Sequence, residues 1–122
     1  MSDQRTLRGA AAEQLAAEYL RERGIKILAR NLRCKGGEID LVGLDREVLV
    51  IVEVRLRESL DFGGALCSVT ASKQRKILCA ARFFLQRESS WRGHAMRFDV
   101  IALQGALHAQ HIMWIKDAFR AT

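Results

Sequence analysis

The sequence predicts an α/β domain built on a mixed central sheet with helices packed against it, and three observations carry that reading. At 122 residues the chain is long enough for one core but not for two. Its apolar periodicity is helical near the start and again after Thr70, and strand-like between and beyond. The run Val48–Val52 is apolar on both faces, as a central strand covered from both sides requires.

Taken in order, Thr6–Arg23 reads as the first helix. Leu7, Ala11, Ala12, Leu15, Ala16, Tyr19 and Leu20 form one apolar stripe, and Gly24 supplies a C-terminal stop. Ile25–Asn31 reads as a strand and Cys34–Gly37 as a polar, glycine-bearing turn. Glu38–Leu44 and Val48–Arg55 then form an antiparallel hairpin around Asp45-Arg46-Glu47. Arg57–Ser68, with Gly63 and Gly64, reads as a loop. Thr70 is the N-cap of a second helix reaching Gln86, with Ile77, Ala81, Phe84 and Leu85 on its buried stripe. Ser89–Ala95 is a loop, Arg97–Leu103 and Ala109–Ile115 alternate as strands around Gln104-Gly105, and Lys116–Thr122 is a tail. The order is α-β-β-β-α-β-β.

Composition narrows the function. Apolar residues at 49% and charged ones at 28% describe an ordinary globule rather than a disordered chain. No apolar run approaches the roughly 18 residues of a membrane span, and the start, MSDQRTLRG, carries no apolar signal segment. Cys34, Cys67 and Cys79 are odd in number and far apart, which suggests neither a disulfide framework nor a zinc knuckle. The expected location is a reducing cytoplasm. A net charge of +6, carried mostly by arginine, favours an anionic partner such as nucleic acid.

The chemistry concentrates where the apolar run ends. Leu49, Ile51, Glu53 and Arg55 share one strand face, and Glu38, Asp40 and Val42 share one face of the neighbour. With an even number of residues in the hairpin loop, Glu38, Asp40, Glu53 and Arg55 fall on the same face, and Asp40 stands beside or diagonal to Glu53; an odd loop scatters them. Two close carboxylates on an apolar sheet repel and lose hydration. A divalent cation offsets both effects, and hard oxygen ligands suit Mg²⁺ or Mn²⁺. The alternative is structural: Glu53 pairs with Arg55 or Arg57, and Asp40 merely ends a strand.

G-E-I-D-L-V at Gly37–Val42 followed by V-E-V-R at Val52–Arg55 resembles the PD-(D/E)XK nuclease signature, an Asp, a spacer, then Glu-x-Lys. The wider chain is similar to the bacterial YraN family, whose endonuclease-like fold is related to archaeal Holliday-junction resolvases. Further matches are G-x-x-x-E-x-x-A-x-x-Y-L at Gly9–Leu20, F-G-x-A at Phe62–Ala65, Val69 with Lys73, R-F-D-V at Arg97–Val100 and A-F at Ala118–Phe119. The resemblance implies a restriction-endonuclease-like fold, metal ligands at Asp40 and Glu53, and an auxiliary carboxylate at Glu13, whose alternative is a surface helix glutamate. It also implies a DNA substrate, branched DNA included. Arg55 departs from the pattern, because the third position is usually lysine. A guanidinium stays protonated and so cannot act as a base, but it can grip a phosphate. Lys73, in the first turn of the second helix, is a candidate substitute whose charge there calls for an anionic partner; its alternative is a stem lying along the buried stripe.

Arg55, Arg57, Lys73 and Lys76 are the candidate phosphate contacts, the last two on a basic second helix whose charges form either a solvated face or a phosphate-tracking surface. Arg97 and Asp99 share a strand face and are expected to pair with each other or with the cluster. His108 and His111 fall on opposite faces of an expected strand, which argues against joint ligation. Trp91 and Trp114 read as core or rim packing rather than base stacking. Three functions remain: a metal-dependent endonuclease-like domain, a non-catalytic nucleic-acid-binding or adaptor module, and a protein-interaction domain. Oligomeric state is open, a homodimer included.

Overall fold

The computed structural model describes residues 4–104 and 111–120. Helix α1 (Gln4–Glu22) is followed by strands β1 (Lys26–Cys34), β2 (Gly37–Asp45) and β3 (Val48–Arg57). Next come a short helix α2 (Phe62–Cys67), the longer α3 (Ala71–Arg87), a single 3₁₀ turn at Ser89–Trp91, and strands β4 (Ala95–Gln104) and β5 (Ile112–Phe119). The strands form one sheet in the order β1-β2-β3-β4-β5. Only β3 and β4 run parallel, and that step needs the crossover which α2 and α3 supply.

The Val48–Val52 run forms the sheet centre because each face has its own cover. Leu49 and Ile51 pack with Ile77, Ala80, Ala81 and Phe84 of α3. Val50 and Val52 pack with Ala12, Ala16, Ala17 and Leu20 of α1, on the opposite face. The small alanines let α1 lie close to the sheet. It ends as expected: Gly24 takes φ 90° and the Ile25 amide reaches back to the Leu20 carbonyl at 3.0 Å. Thr70 caps α3, its hydroxyl accepting from the Lys73 amide.

The hairpin turn is the two residues Arg46 and Glu47, since Asp45 pairs with Val48. An even loop is thus the outcome, with Arg46 at φ 57° absorbing the reversal.

Several boundaries differ from the sequence reading. Arg57–Ser68 contains helix α2, begun by Asp61, whose carboxylate accepts from the Gly64 amide; a single capped turn-and-a-half leaves no periodicity to read. The first strand continues past Asn31 to Cys34, because Leu32 and Cys34 still pack on the α3 face. The last strand begins at Ile112 and runs to Phe119, so most of the expected tail is strand. Phe119 stacks on Phe98 at 4.9 Å and holds that end in place. The stretch from Gly105 to Gln110, with the expected strand start and His108, lies outside the described residues. His111 precedes the strand and is exposed.

Candidate active site

The β2–β3 ladder is regular from Asp45↔Val48 to Leu41↔Val52. One step further stand Asp40 and Glu53. There the backbone pairing gives way to a side chain: the Val54 amide donates to Asp40 Oδ2 at 2.7 Å. This fixes the Asp40 carboxylate on the backbone of β3, beside Glu53, whose own side chain lies on the face that α3 covers. Asp40 is half-buried and Glu53 is only 7% exposed.

The electrostatics follow from that placement. Burial pushes the Glu53 carboxyl up to about 8, the nearby Asp40 carboxylate adds to the effect, and Lys73 and Arg55 oppose it. Burial also raises Asp40, while the Val54 amide bond pulls it back. Glu13, half-buried on α1, is raised by burial and then by the charge of Asp40, with Asn31 opposing through a hydrogen bond. The three carboxyls therefore form a chain through Asp40 that links the two faces of the sheet. Among the described residues, no three Asp, Glu, His or Cys side chains gather closely enough to hold an ion by themselves.

Two cations face Glu53. Arg55 Nη1 stands 3.8 Å and Lys73 Nζ 3.6 Å from Glu53 Oε1, charge contacts beyond hydrogen-bond length. Arg55 is anchored from behind, its Nε donating to Ser68 Oγ at 3.2 Å, while Ser68 Oγ donates to the Ala65 carbonyl at 2.6 Å. The anionic partner that Lys73 calls for is thus Glu53. Lys76 is exposed one turn along α3, and Arg57 is the half-buried last residue of β3. A cleft of about 470 Å³ opens over Glu53, Lys73 and Lys76.

The donor set fits a hard divalent cation. Asp40 and Glu53 offer carboxylate oxygens whose mutual repulsion an ion would relieve, and the cleft leaves room for the waters or phosphate oxygens that Mg²⁺ retains.

Arg97 and Asp99 belong to a different arrangement on the other face. Asp99 is fully buried and accepts from Arg97 Nε at 3.0 Å, Trp114 Nε1 at 2.9 Å and the Asp117 amide at 2.9 Å. Arg97 Nη1 also reaches Asp45 Oδ2 at 2.9 Å. This network is separate from the Glu53 cluster. Trp114 is accordingly a structural donor, and Trp91 packs against the core on the α3 face. Asp45 gives no signal in the sequence because its partner lies 52 residues away.

An α/β fold with a mixed five-stranded sheet, carrying a carboxylate pair at the end of its central hairpin, is the class that these features define. Comparison with known proteins agrees and is specific. Residues 12–103 match the model of uncharacterised protein family UPF0102, the YraN family, and the chain belongs to it. It is 53% identical to a UPF0102 protein of Pseudomonas putida strain F1, over 93% of this chain and 94% of that one. It is 54% identical to one from Pseudomonas entomophila, over 91% of each, and 45% identical to one from Nitrosococcus oceani, over 93% and 91%. No helix among the described residues is long and apolar enough to cross a membrane.

Proposed function

We propose that this chain is a metal-dependent endonuclease-like protein that acts on DNA, branched DNA included. The observation that carries the reading is Glu53: a buried carboxylate raised by burial and by Asp40, while Arg55 and Lys73 stand off at 3.8 and 3.6 Å instead of neutralising it by contact. A structural ion pair at that depth would close to hydrogen-bond distance.

In this reading Asp40 and Glu53 hold Mg²⁺ or Mn²⁺, with Glu13 supporting Asp40. When bound, such an ion polarises a phosphoryl oxygen and makes a bound water a better nucleophile. Arg55, fixed by Ser68, grips the phosphate and stabilises developing negative charge. Lys73 supplies the amine that the usual lysine position lacks here. Its cation approaches Glu53 from α3 rather than from β3. Arg57 and Lys76 contact flanking phosphates.

The second reading, a nucleic-acid-binding or adaptor module with a degenerate site, is favoured by one observation, the arginine at position 55. A cleavage panel over single-stranded, duplex and junction DNA with Mg²⁺ and Mn²⁺ separates the two. The nuclease reading expects divalent-dependent cleavage that Asp40→Asn abolishes. Salt-sensitive binding without cleavage supports the module instead.

A further inference from the structure

The cleft over Glu53 has two walls from different elements. The end of β1 brings Arg33, the β1–β2 turn brings Lys35, and α3 brings Lys73 and Lys76. The walls are held at a set separation. The backbone at Gly37 lies so close to α3 that a Cβ there would collide with the Lys76 carbonyl oxygen, and one at Gly36 would collide with Cys79 Sγ. Four cations therefore face one another over a carboxylate floor. Arg33 Nε lies 3.4 Å from Glu38 Oε2, but both side chains are mostly exposed, so this pair yields readily to a stronger anion.

At about 470 Å³ the cleft is the size of a small-molecule pocket, on the order of 300–1,000 Å³. It admits a nucleotide or two but no duplex, whose major groove alone is about 12 Å wide. A rigid duplex laid over the rim keeps its phosphates away from a carboxylate that is 7% exposed. A flexible strand does not. Building on the nuclease reading, we propose that the cleft takes an unpaired strand of nucleic acid, held by Arg33 and Lys35 on one wall and Lys76 on the other. Duplex then reaches the site only where it is frayed, tailed or branched. Among the described residues no aromatic side chain lines the cleft, so the grip is on phosphate and sugar and carries little sequence preference.

The test is fluorescence anisotropy of end-labelled oligonucleotides in Ca²⁺, comparing single strands, tailed duplexes and blunt duplexes of equal length. Single strands and tailed duplexes should bind about tenfold or more tighter than blunt duplex. The double variant Arg33→Gln/Lys35→Gln should weaken single-strand binding by about tenfold. It should also flatten the log–log salt dependence by about 1.4, at roughly 0.7 for each phosphate that is no longer neutralised. Its melting temperature should match wild type, because both residues are exposed. Blunt duplex binding as tightly as tailed, or a double variant with unchanged single-strand affinity and salt slope, overturns the inference. If metal-dependent cleavage persists in that case, the nuclease reading stands without it. No binding of any oligonucleotide at low salt overturns both.

Discussion

The two faces of this sheet each bury a carboxylate beside an arginine, and they treat it in opposite ways. On the α1 face, Asp99 has no exposed surface, and it receives hydrogen bonds at 2.9–3.2 Å from Arg97, Trp114 and the Asp117 amide. The last donor is available because β5 bulges opposite Asp99, with Asp117 at φ 53°. On the α3 face, Glu53 has a second carboxylate beside it, and its cations stand beyond hydrogen-bond length. A saturated carboxylate holds strands together. Glu53 is compensated less completely, and that difference is what the proposed nuclease reading rests on.

The largest test breaks the saturated side. Asp99→Ala leaves the guanidinium of Arg97 half-buried with only Asp45 beside it, and leaves the Trp114 N–H without its acceptor. Removing one partner of a buried ion pair costs about 3–5 kcal/mol. Urea denaturation should show a loss of that size. A loss below about 1 kcal/mol would mean that the network contributes little, and the contrast would collapse.

Next comes the unsaturated side, read by activity. If Arg55 holds the phosphate, Arg55→Ala should lower metal-dependent cleavage by about a hundredfold, the scale for losing one charge-stabilising donor. Arg55→Lys should preserve or raise it, since lysine keeps the charge and can exchange a proton. Kinetics of wild type and both variants on one junction substrate decide the matter. Cleavage indifferent to Arg55→Ala removes the role assigned to this residue.

The two sites are unequally legible in the sequence. Asp40 and Glu53 can be brought together from strand alternation alone, once the loop parity is known, because a hairpin is local. The parity itself is not legible: Asp45-Arg46-Glu47 contains no Asn-Gly or Gly, and Arg46 takes the left-handed conformation without the residue that usually advertises it. The Asp45–Arg97–Asp99 network is half-visible. The parallel register of β3 on β4 that carries Arg97 to Asp45 depends on a long crossover, and so does the approach of Lys73 to Glu53. Helix α2 is hidden by Gly63 and Gly64, poor helix formers that Asp61 nonetheless caps. Lys35 reads as a turn residue and Arg33 falls between strand and turn, and only the packing of Gly37 on α3 turns them into a wall.

A third test uses pH to measure how incompletely Glu53 is compensated. Its carboxyl titrates near 8 in the folded chain, raised from an ordinary value of 4.5. Between those values the folded state keeps a proton that the unfolded state has lost, so stability falls as pH rises from about 4.5 to about 8, and the loss is complete above 8. A shift from 4.5 to about 8 sets an upper limit of about 5 kcal/mol on the effect in ion-free buffer. Glu53→Gln, which carries no charge at any pH, should flatten that slope and leave the chain more stable than wild type at pH 8.5. Equal slopes in urea titrations of wild type and variant would show that Glu53 is ionised at no cost. The two faces would then be alike.

The smallest effect is expected from Ser68, and it sharpens the comparison because it touches only orientation. Ser68 Oγ accepts from Arg55 Nε and donates to the Ala65 carbonyl, tying Arg55 to the end of α2. Ser68→Ala deletes one half-buried hydroxyl and leaves the Arg55 charge in place. The stability cost should be about 0.5–1 kcal/mol, that of one ordinary hydrogen bond. On the saturated face, losing a donor of this kind has no further consequence. Here Arg55 gains freedom to swing toward Glu53, and a better-formed ion pair competes with phosphate for the same guanidinium. Cleavage should therefore fall by about threefold to tenfold, mainly as a lower kcat, because misplacement of a charge-stabilising group is felt most in the transition state. Ser68→Thr, which retains the hydroxyl, should restore most of the rate. A Ser68→Ala protein with wild-type kcat would show that Arg55 needs no support from α2, and that its position is set by Glu53 alone.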